Sequence, residues 1–302
     1  MNIALKVDVD TYRGTLEGVP ALLELFNRYQ VPATFLFSLG PDHTGRALRR
    51  VFRPGFLKKV KRTSVASHYG YKTLMYGVLL PGPHIGRKAG TILRQTRAAG
   101  HEVGIHCYDH VRWQDFVARK DRAWTARELQ RAYDAFVEAV GVNPTTLGAA
   151  GWQLNKHVIS LEEQMGFAYA SDIRGHTPFY PEIEGEASRC LQIPTTLPTL
   201  DELIGRDGID ESNVADRVFA ASQKPSAYGH VYTLHAELEG MQLLPVMEAL
   251  LQKWQANGDS LITLQDFYQS LPLEQLPHKE IVWGEVEGRS GLVATEAALP
   301  VS

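Results

Sequence analysis

Between His43 and His101 the chain contains no aspartate and no glutamate, while thirteen lysines and arginines fall there. The formal net charge of −3 therefore conceals about +13 in this stretch and, by subtraction, about −16 elsewhere. Cysteine is almost missing too. Cys107 and Cys190 are the only two in 302 residues, too few for a disulfide framework, which points to a reducing compartment. No apolar run is long enough to span a bilayer. The best, Thr73 to Leu80, stops at Pro81-Gly-Pro83, far short of the roughly 20 residues required. No cleavable apolar leader stands ahead of Asp8 and Asp10, so the sequence predicts a cytoplasmic location. Repeats and low-complexity tracts are lacking as well, and an ordinary apolar fraction of 44% excludes extensive disorder.

What is present is an alternation of strand and helix patterns. Strands are predicted at residues 3–9, 33–38, 102–106, 146–149, 168–171, 191–194, 231–234 and 260–263. Helices are predicted at 17–29, 87–99, 125–140, 156–165, 212–222, 241–256 and 264–270, with Thr125 and Glu128 arranged as a capping box. Repeated βα units argue for a parallel barrel or doubly wound sheet, and polar residues at the strands' C-terminal ends favour the barrel. The predicted organisation is one α/β catalytic domain over residues 1–270, interrupted by a long basic insertion at 41–86. Residues 271–302, without clear periodicity, read as a peripheral or mobile tail.

Three strands end in metal-capable groups: Asp8-Val-Asp10, His106-x-x-x-His110 and Leu234-His235. Each motif alone is weak, because a strand-end histidine is often a hydrogen-bonded wall residue and an aspartate there is often a turn-former. Together they make a set. Asp10, His106 and His110 are the predicted metal ligands, one carboxylate and two imidazoles suited to zinc first, with cobalt, manganese or nickel as alternatives. Asp8 and His235 are then left for proton transfer as general base and general acid. Asp172 is the predicted partner that orients His235. Asp109 reads as either a second-layer support or a solvated turn residue, and Cys107 stays outside the ligand set.

The insertion interleaves Arg46, Arg49, Arg50, Arg53, Lys58, Lys59, Lys61 and Arg62 with Leu48, Val51, Phe52, Phe56, Leu57 and Val60. This pattern suits an amphipathic segment on an anionic bilayer, where each cation contributes on the order of 1 kcal/mol. A solvated basic face and a nucleic-acid surface are the other readings. A lipid-linked phosphate substrate accounts for the insertion and the metal site together, so no nucleic-acid partner is expected.

Asp8-Val-Asp10, His106-x-x-x-His110 and Leu234-His235 resemble the motifs of the polysaccharide deacetylase (NodB-homology) superfamily, which implies a deformed (β/α) barrel. More narrowly, the chain resembles the 4-deoxy-4-formamido-L-arabinose-phosphoundecaprenol deformylase family. The matching stretches are Asp8-Val-Asp-Thr-Tyr-Arg-Gly-Thr, Ser38-Leu-Gly-Pro-Asp, Ala149-Ala-Gly-Trp152, Ser171-Asp-Ile-Arg-Gly, Ile193-Pro-Thr-Thr-Leu-Pro-Thr, Ile204-Gly-Arg-Asp207 and Tyr232-Thr-Leu-His-Ala-Glu-Leu-Glu-Gly240. The resemblance implies deformylation of an aminoarabinose on undecaprenyl phosphate, at the cytosolic face of the bacterial inner membrane, serving lipid A modification and polymyxin resistance. It also implies the same roles for Asp8, Asp10, His106, His110 and His235. Candidate substrate contacts are Trp152, Arg206 and Asp207, with Arg49, Arg50, Lys58 and Lys59 in the insertion; core packing for Trp152 and a surface Arg206–Asp207 ion pair are the alternatives. General deacetylases carry an arginine in the motif corresponding to Ala149-Ala-Gly-Trp152, where it orients the catalytic aspartate. This chain has none there, and Arg174 is the predicted substitute. Two other functions fit the same residues: hydrolysis of an N-acetyl sugar or cyclic amide, and a catalytically inactive barrel that binds anionic lipid.

Overall fold

The computed structural model describes residues 1–47 and 70–297. β1 (Asn2–Val9) is buried from Ile3 onward, and its two faces meet different surroundings. Leu5, Val7 and Val9 join the main core, while Lys6 and Asp8 face the other way by the two-residue alternation of a strand. The chain continues through β2 (Thr34–Ser38), β3 (Glu102–Cys107), β4 (Thr146–Leu147), β5 (Tyr169–Ala170), β6 (Tyr180–Ile183), β7 (Glu186–Ala187) and β8 (Leu191–Gln192). β9 (His230–His235), β10 (Ser260–Ile262), β11 (His278–Glu285) and β12 (Leu292–Glu296) complete the strands.

Eight of these make one parallel sheet in the order β10-β1-β2-β3-β4-β5-β8, with β9 also on β1. Residues Ile3 to Asp8 pair with His230 to His235 along one edge of β1, so β2 and β10 share the other edge end to end. Between β8 and β9 the connection is looser. Thr196 and Leu197 donate their amides to the Val231 carbonyl, and the Thr195 and Thr233 hydroxyls meet at 2.7 Å. This is the barrel that the strand pattern favours, in the deformed form that the family resemblance implies.

Helices Val19–Tyr29, Ile85–Ala98, Val214–Ser222 and Leu244–Ala256 cover the outside of the sheet, contributing Phe26, Leu93, Val218 and Trp254 to the main core. The helix Arg122–Val140 begins three residues before its predicted start. Asp121 is its N-cap, accepting the Trp124 amide at 2.8 Å. Thr125, the predicted cap, lies inside the first turn with its hydroxyl on the Asp121 carbonyl, because the earlier side chain already satisfies a free amide there.

Of the segment read as a peripheral or mobile tail, residues 271–297 are a folded part of the structure. β11 pairs antiparallel with β12 and parallel with β6, and β7 completes this second, four-stranded sheet. Ile281 and Ala294 are buried with Phe179, Ile173, Leu154 and Trp113. Val293 is buried as well, and burial of one isoleucine alone stabilises by about 1.5–3 kcal/mol, so these side chains help dock the hairpin.

Candidate metal centre and active site

Asp10 follows the last residue of β1, His106 lies near the end of β3, and His110 opens the helix His110–Phe116. Between Phe37 and Ser38 the β2–β3 register shifts, leaving His106 as the extra residue of β3, a bulge that re-aims a side chain at a strand end. His106 Nε2 lies 3.2 Å and His110 Nε2 3.4 Å from Asp10 Oδ1. One ligand atom from each of the three residues fits within 4.8 Å of the others.

The donor set fits a divalent cation. His106 Nδ1 is 2.7 Å from the Gly148 carbonyl, which holds its proton on Nδ1 and leaves the Nε2 lone pair directed at Asp10. Asp10 Oδ1 is buried without a hydrogen-bond partner among the described residues, a costly arrangement for a carboxylate unless a cation meets it. Burial alone would push the Asp10 carboxyl up, but the His110 and His106 imidazoles outweigh it and hold the group far below the usual range. Burial would lower His106, and the charges of Asp8 and Asp10 overcome it and raise it. Protons and a metal ion thus compete for one carboxylate–imidazole cluster.

Asp8 and His235 stand directly opposite one another in the β1–β9 ladder. Asp8 Oδ1 lies 3.9 Å from His106 Nδ1, and both Asp8 Oδ1 and His235 Nδ1 are buried without hydrogen-bond partners among the described residues. The register therefore brings together the two groups predicted for proton transfer and sets them beside the cluster.

Asp172 is not the partner of His235. Its oxygens take the Ala149 amide at 2.6 Å and the Gln192 side-chain amide at 2.6 Å, contacts with the segments on either side of β5. Arg174 likewise does not reach Asp8. Its guanidinium pairs with Glu202 at 2.6 Å and donates to the Leu197 carbonyl at 3.1 Å. Trp152 takes the core alternative: fully buried, it has Arg289 at 4.3 Å, Arg174 at 5.1 Å and Lys6 at 5.8 Å from its ring centroid. Arg206 turns to Glu287 of the C-terminal hairpin rather than to Asp207, which is exposed in a left-handed turn at φ 47°. Arg49, Arg50, Lys58 and Lys59 lie outside the described residues. Asp109 caps the helix that carries His110, accepting the Arg112 amide at 3.0 Å, and meets His43 Nδ1 at 2.6 Å.

Two carboxylates of the loop after β9 went unassigned in the sequence. Glu237 Oε1 accepts the Asp10 amide, the Thr11 amide and the Thr11 hydroxyl at 2.8–3.1 Å, fixing the turn that carries a metal ligand. Gly18 lets this loop come close, since a Cβ there would sit 2.1 Å from the Ala236 carbonyl oxygen. Glu239 accepts the His235 amide at 2.9 Å and the Tyr232 hydroxyl at 3.1 Å. An acid four residues from a histidine in a loop resembles any solvated turn; only its quoted motif, Leu-His-Ala-Glu-Leu-Glu-Gly, could have flagged it.

Burial pushes Glu239 up to about 7, against the pull of His235. Its folded value lies above the ordinary 4.5, so its protonation stabilises the fold fully below pH 4.5 and this contribution disappears as pH rises through 7. Glu239→Gln is expected to flatten that part of the stability curve, a change on the order of 3 kcal/mol. Unfolding midpoints of the two proteins that run parallel from pH 4.5 to 8 would contradict this.

A cleft of about 630 Å³ lies beneath the C-terminal hairpin, lined by Arg174, Thr195, Lys279 and Glu296 among others. None of the metal-site residues lines it.

The polysaccharide deacetylase family pattern matches residues 3–170. A protein of Shewanella sediminis (strain HAW-EB3), named "Probable 4-deoxy-4-formamido-L-arabinose-phosphoundecaprenol deformylase ArnD", is 37% identical, with 98% of this chain and 95% of the relative covered. A protein of the same name from Wigglesworthia glossinidia brevipalpis is 31% identical over 93% of this chain and 97% of its own length. Among solved structures, one from Mycobacterium smegmatis assigned to the polysaccharide deacetylases superposes with a TM-score of 0.62, at 18% identity and over 94% of each chain. The fold, the full-length likeness and the family pattern agree: this chain is a hydrolase of amide C–N bonds that belongs to the polysaccharide deacetylases and, within them, to the 4-deoxy-4-formamido-L-arabinose-phosphoundecaprenol deformylase family.

Proposed function

We propose that the protein removes the formyl group from 4-deoxy-4-formamido-L-arabinose carried on undecaprenyl phosphate. The products are formate and the free amino-sugar lipid, which serves lipid A modification and polymyxin resistance at the cytosolic face of the inner membrane. One observation carries this reading: relatives named for the reaction match 98% and 93% of the chain, so the likeness takes in the acid-free basic segment as well as the metal cluster.

In this scheme Asp10, His106 and His110 hold one divalent cation. Bound there, it would polarise the formyl oxygen and make a water more acidic. Asp8 accepts the proton of the attacking water through Oδ1, which has no hydrogen-bond partner among the described residues. The water oxygen joins the formyl carbon, the C–N bond breaks, and His235 delivers a proton to the departing sugar nitrogen. The two groups face the reaction from adjacent strands, so neither must move far. Glu237 and Glu239 hold the backbone of Asp10 and His235 in place throughout. The direct test is formate release from the formamido lipid by metal-loaded protein. Cleavage of an N-acetyl analogue with no formate from the natural lipid would replace this reading with that of a general deacetylase.

Membrane docking through the basic segment belongs to the same proposal. No described helix is long and apolar enough to cross a membrane, yet Tyr71, Val78 and Leu79, which follow the basic run, are 81%, 55% and 76% exposed. Such exposed apolar groups beside a cationic segment suit an interface that enters the headgroup region. Changing Arg49, Arg50, Lys58 and Lys59 to glutamine is expected to cost about 1 kcal/mol of vesicle binding per cation and to raise the apparent KM for lipid substrate. Unchanged partitioning onto anionic vesicles would remove docking from the scheme and leave the chemistry standing.

A further inference from the structure

Lys6 lies in the middle of β1 with no solvent exposure. A buried ammonium is tolerated only where carbonyls and anions replace its water. Lys6 Nζ donates to the Ser171 carbonyl at 2.8 Å and stands 3.7 Å from Asp8 Oδ2, with the Trp152 ring at 5.8 Å. Its aliphatic stem runs from β1 to the end of β5, and Gly148 leaves room for it, since a Cβ there would be 3.2 Å from Lys6 Cε. Lys6 and Asp8 are two residues apart and so project from one face of the strand. The cation therefore holds one carboxylate oxygen of Asp8, while the other, Oδ1, has no hydrogen-bond partner among the described residues. Arg174 offers no such contact, being held by Glu202 and the Leu197 carbonyl.

We propose that Lys6 is the positioning residue for Asp8: it fixes the Oδ2 side of the carboxylate and leaves Oδ1 turned toward the reacting water. The proposal rests on the deformylase reading for its catalytic meaning, but the Lys6–Asp8 pairing can be tested without it. It also answers how a chain lacking the arginine of the Ala149-Ala-Gly-Trp152 motif orients its first carboxylate: the cation comes from the same strand.

The experiment is formate release by Lys6→Met in two backgrounds, with metal content measured on each protein. In wild type the substitution is expected to lower kcat at least about tenfold with KM and bound metal changed less than about twofold, the pattern of a lost transition-state contact. In Asp8→Asn the same substitution is expected to change residual turnover less than about twofold, because the group it serves is already gone. An unchanged kcat in Lys6→Met overturns the proposal, and so does an equal loss in both backgrounds, which is what a merely structural lysine would produce. Should Lys6→Met not fold, Lys6→Arg decides: a folded protein as inactive as Asp8→Asn overturns the proposal, and one that keeps turnover within about tenfold supports it. If wild type itself releases no formate, the deformylase reading fails alone. The pairing is then judged by unfolding midpoints, where non-additive shifts for Lys6→Met and Asp8→Asn sustain it and additive shifts overturn it.

Discussion

Asp8→Asn is expected to reduce the turnover number for formate release by about 10²–10⁴-fold, the range for loss of a positioned general base. The substitution keeps shape and most packing: Asp8 is buried, and asparagine fills the same volume. What changes is the ability to take a proton. Because Asp8 is outside the Asp10–His106–His110 cluster, bound metal should remain at one ion per chain. KM should stay close to wild type, since the carboxylate has no part in holding the lipid. Metal analysis together with single-turnover formate release separates these effects. A variant that retains metal and also retains turnover within about tenfold would take Asp8 out of the role of base.

His106→Ala is expected to fail in the opposite way. Its ring meets both Asp10 and the Gly148 carbonyl, so truncation removes a ligand and leaves that carbonyl without its donor. Disturbing an outer partner of a metal ligand already weakens binding by about 10–100-fold, and deleting the ligand itself should exceed that. The purified variant should therefore lose its metal on dialysis and release no formate, as should wild type treated with a strong chelator. Adding back a divalent ion should restore wild type and leave His106→Ala inactive. Metal retained at one ion per chain after dialysis of His106→Ala would remove this histidine from the ligand set.

The candidate site groups were legible because they follow conspicuous apolar strands: Ile3 to Val9, Val103 to Ile105 and Val231 to Leu234. Distances across the sheet were not. Asp172 and Arg174 belong to a stretch that carries the family resemblance, yet hydrogen bonds with Ala149 and Gln192, and with Glu202 and Leu197, take up their side chains. Lys6 escaped notice because a lone lysine in a strand usually marks an edge or a wet face, and nothing local reveals that it faces a barrel interior. β11 hid for a related reason. Of its eight residues only Ile281 is buried, so His278 to Glu285 carries no alternation strong enough to mark a strand. β4, β5 and β8 were found, but each is only two residues long, shorter than its predicted range, although single backbone hydrogen bonds from Gly148, Ser171 and Ile193 continue the pairing past each strand.

The first strand of the chain waits long for one of its partners. β1 ends at Val9, and its neighbour β9 begins at His230, so a ribosome making about 5–20 residues per second leaves one edge of β1 unpaired for roughly 10–45 s. During that interval Ile3 to Val9, apolar but for Lys6 and Asp8, form an open template for pairing with another chain. The two charges set side by side in β1 thus serve a second purpose before any substrate is met: an unpaired edge carrying a lysine is a poor partner for aggregation.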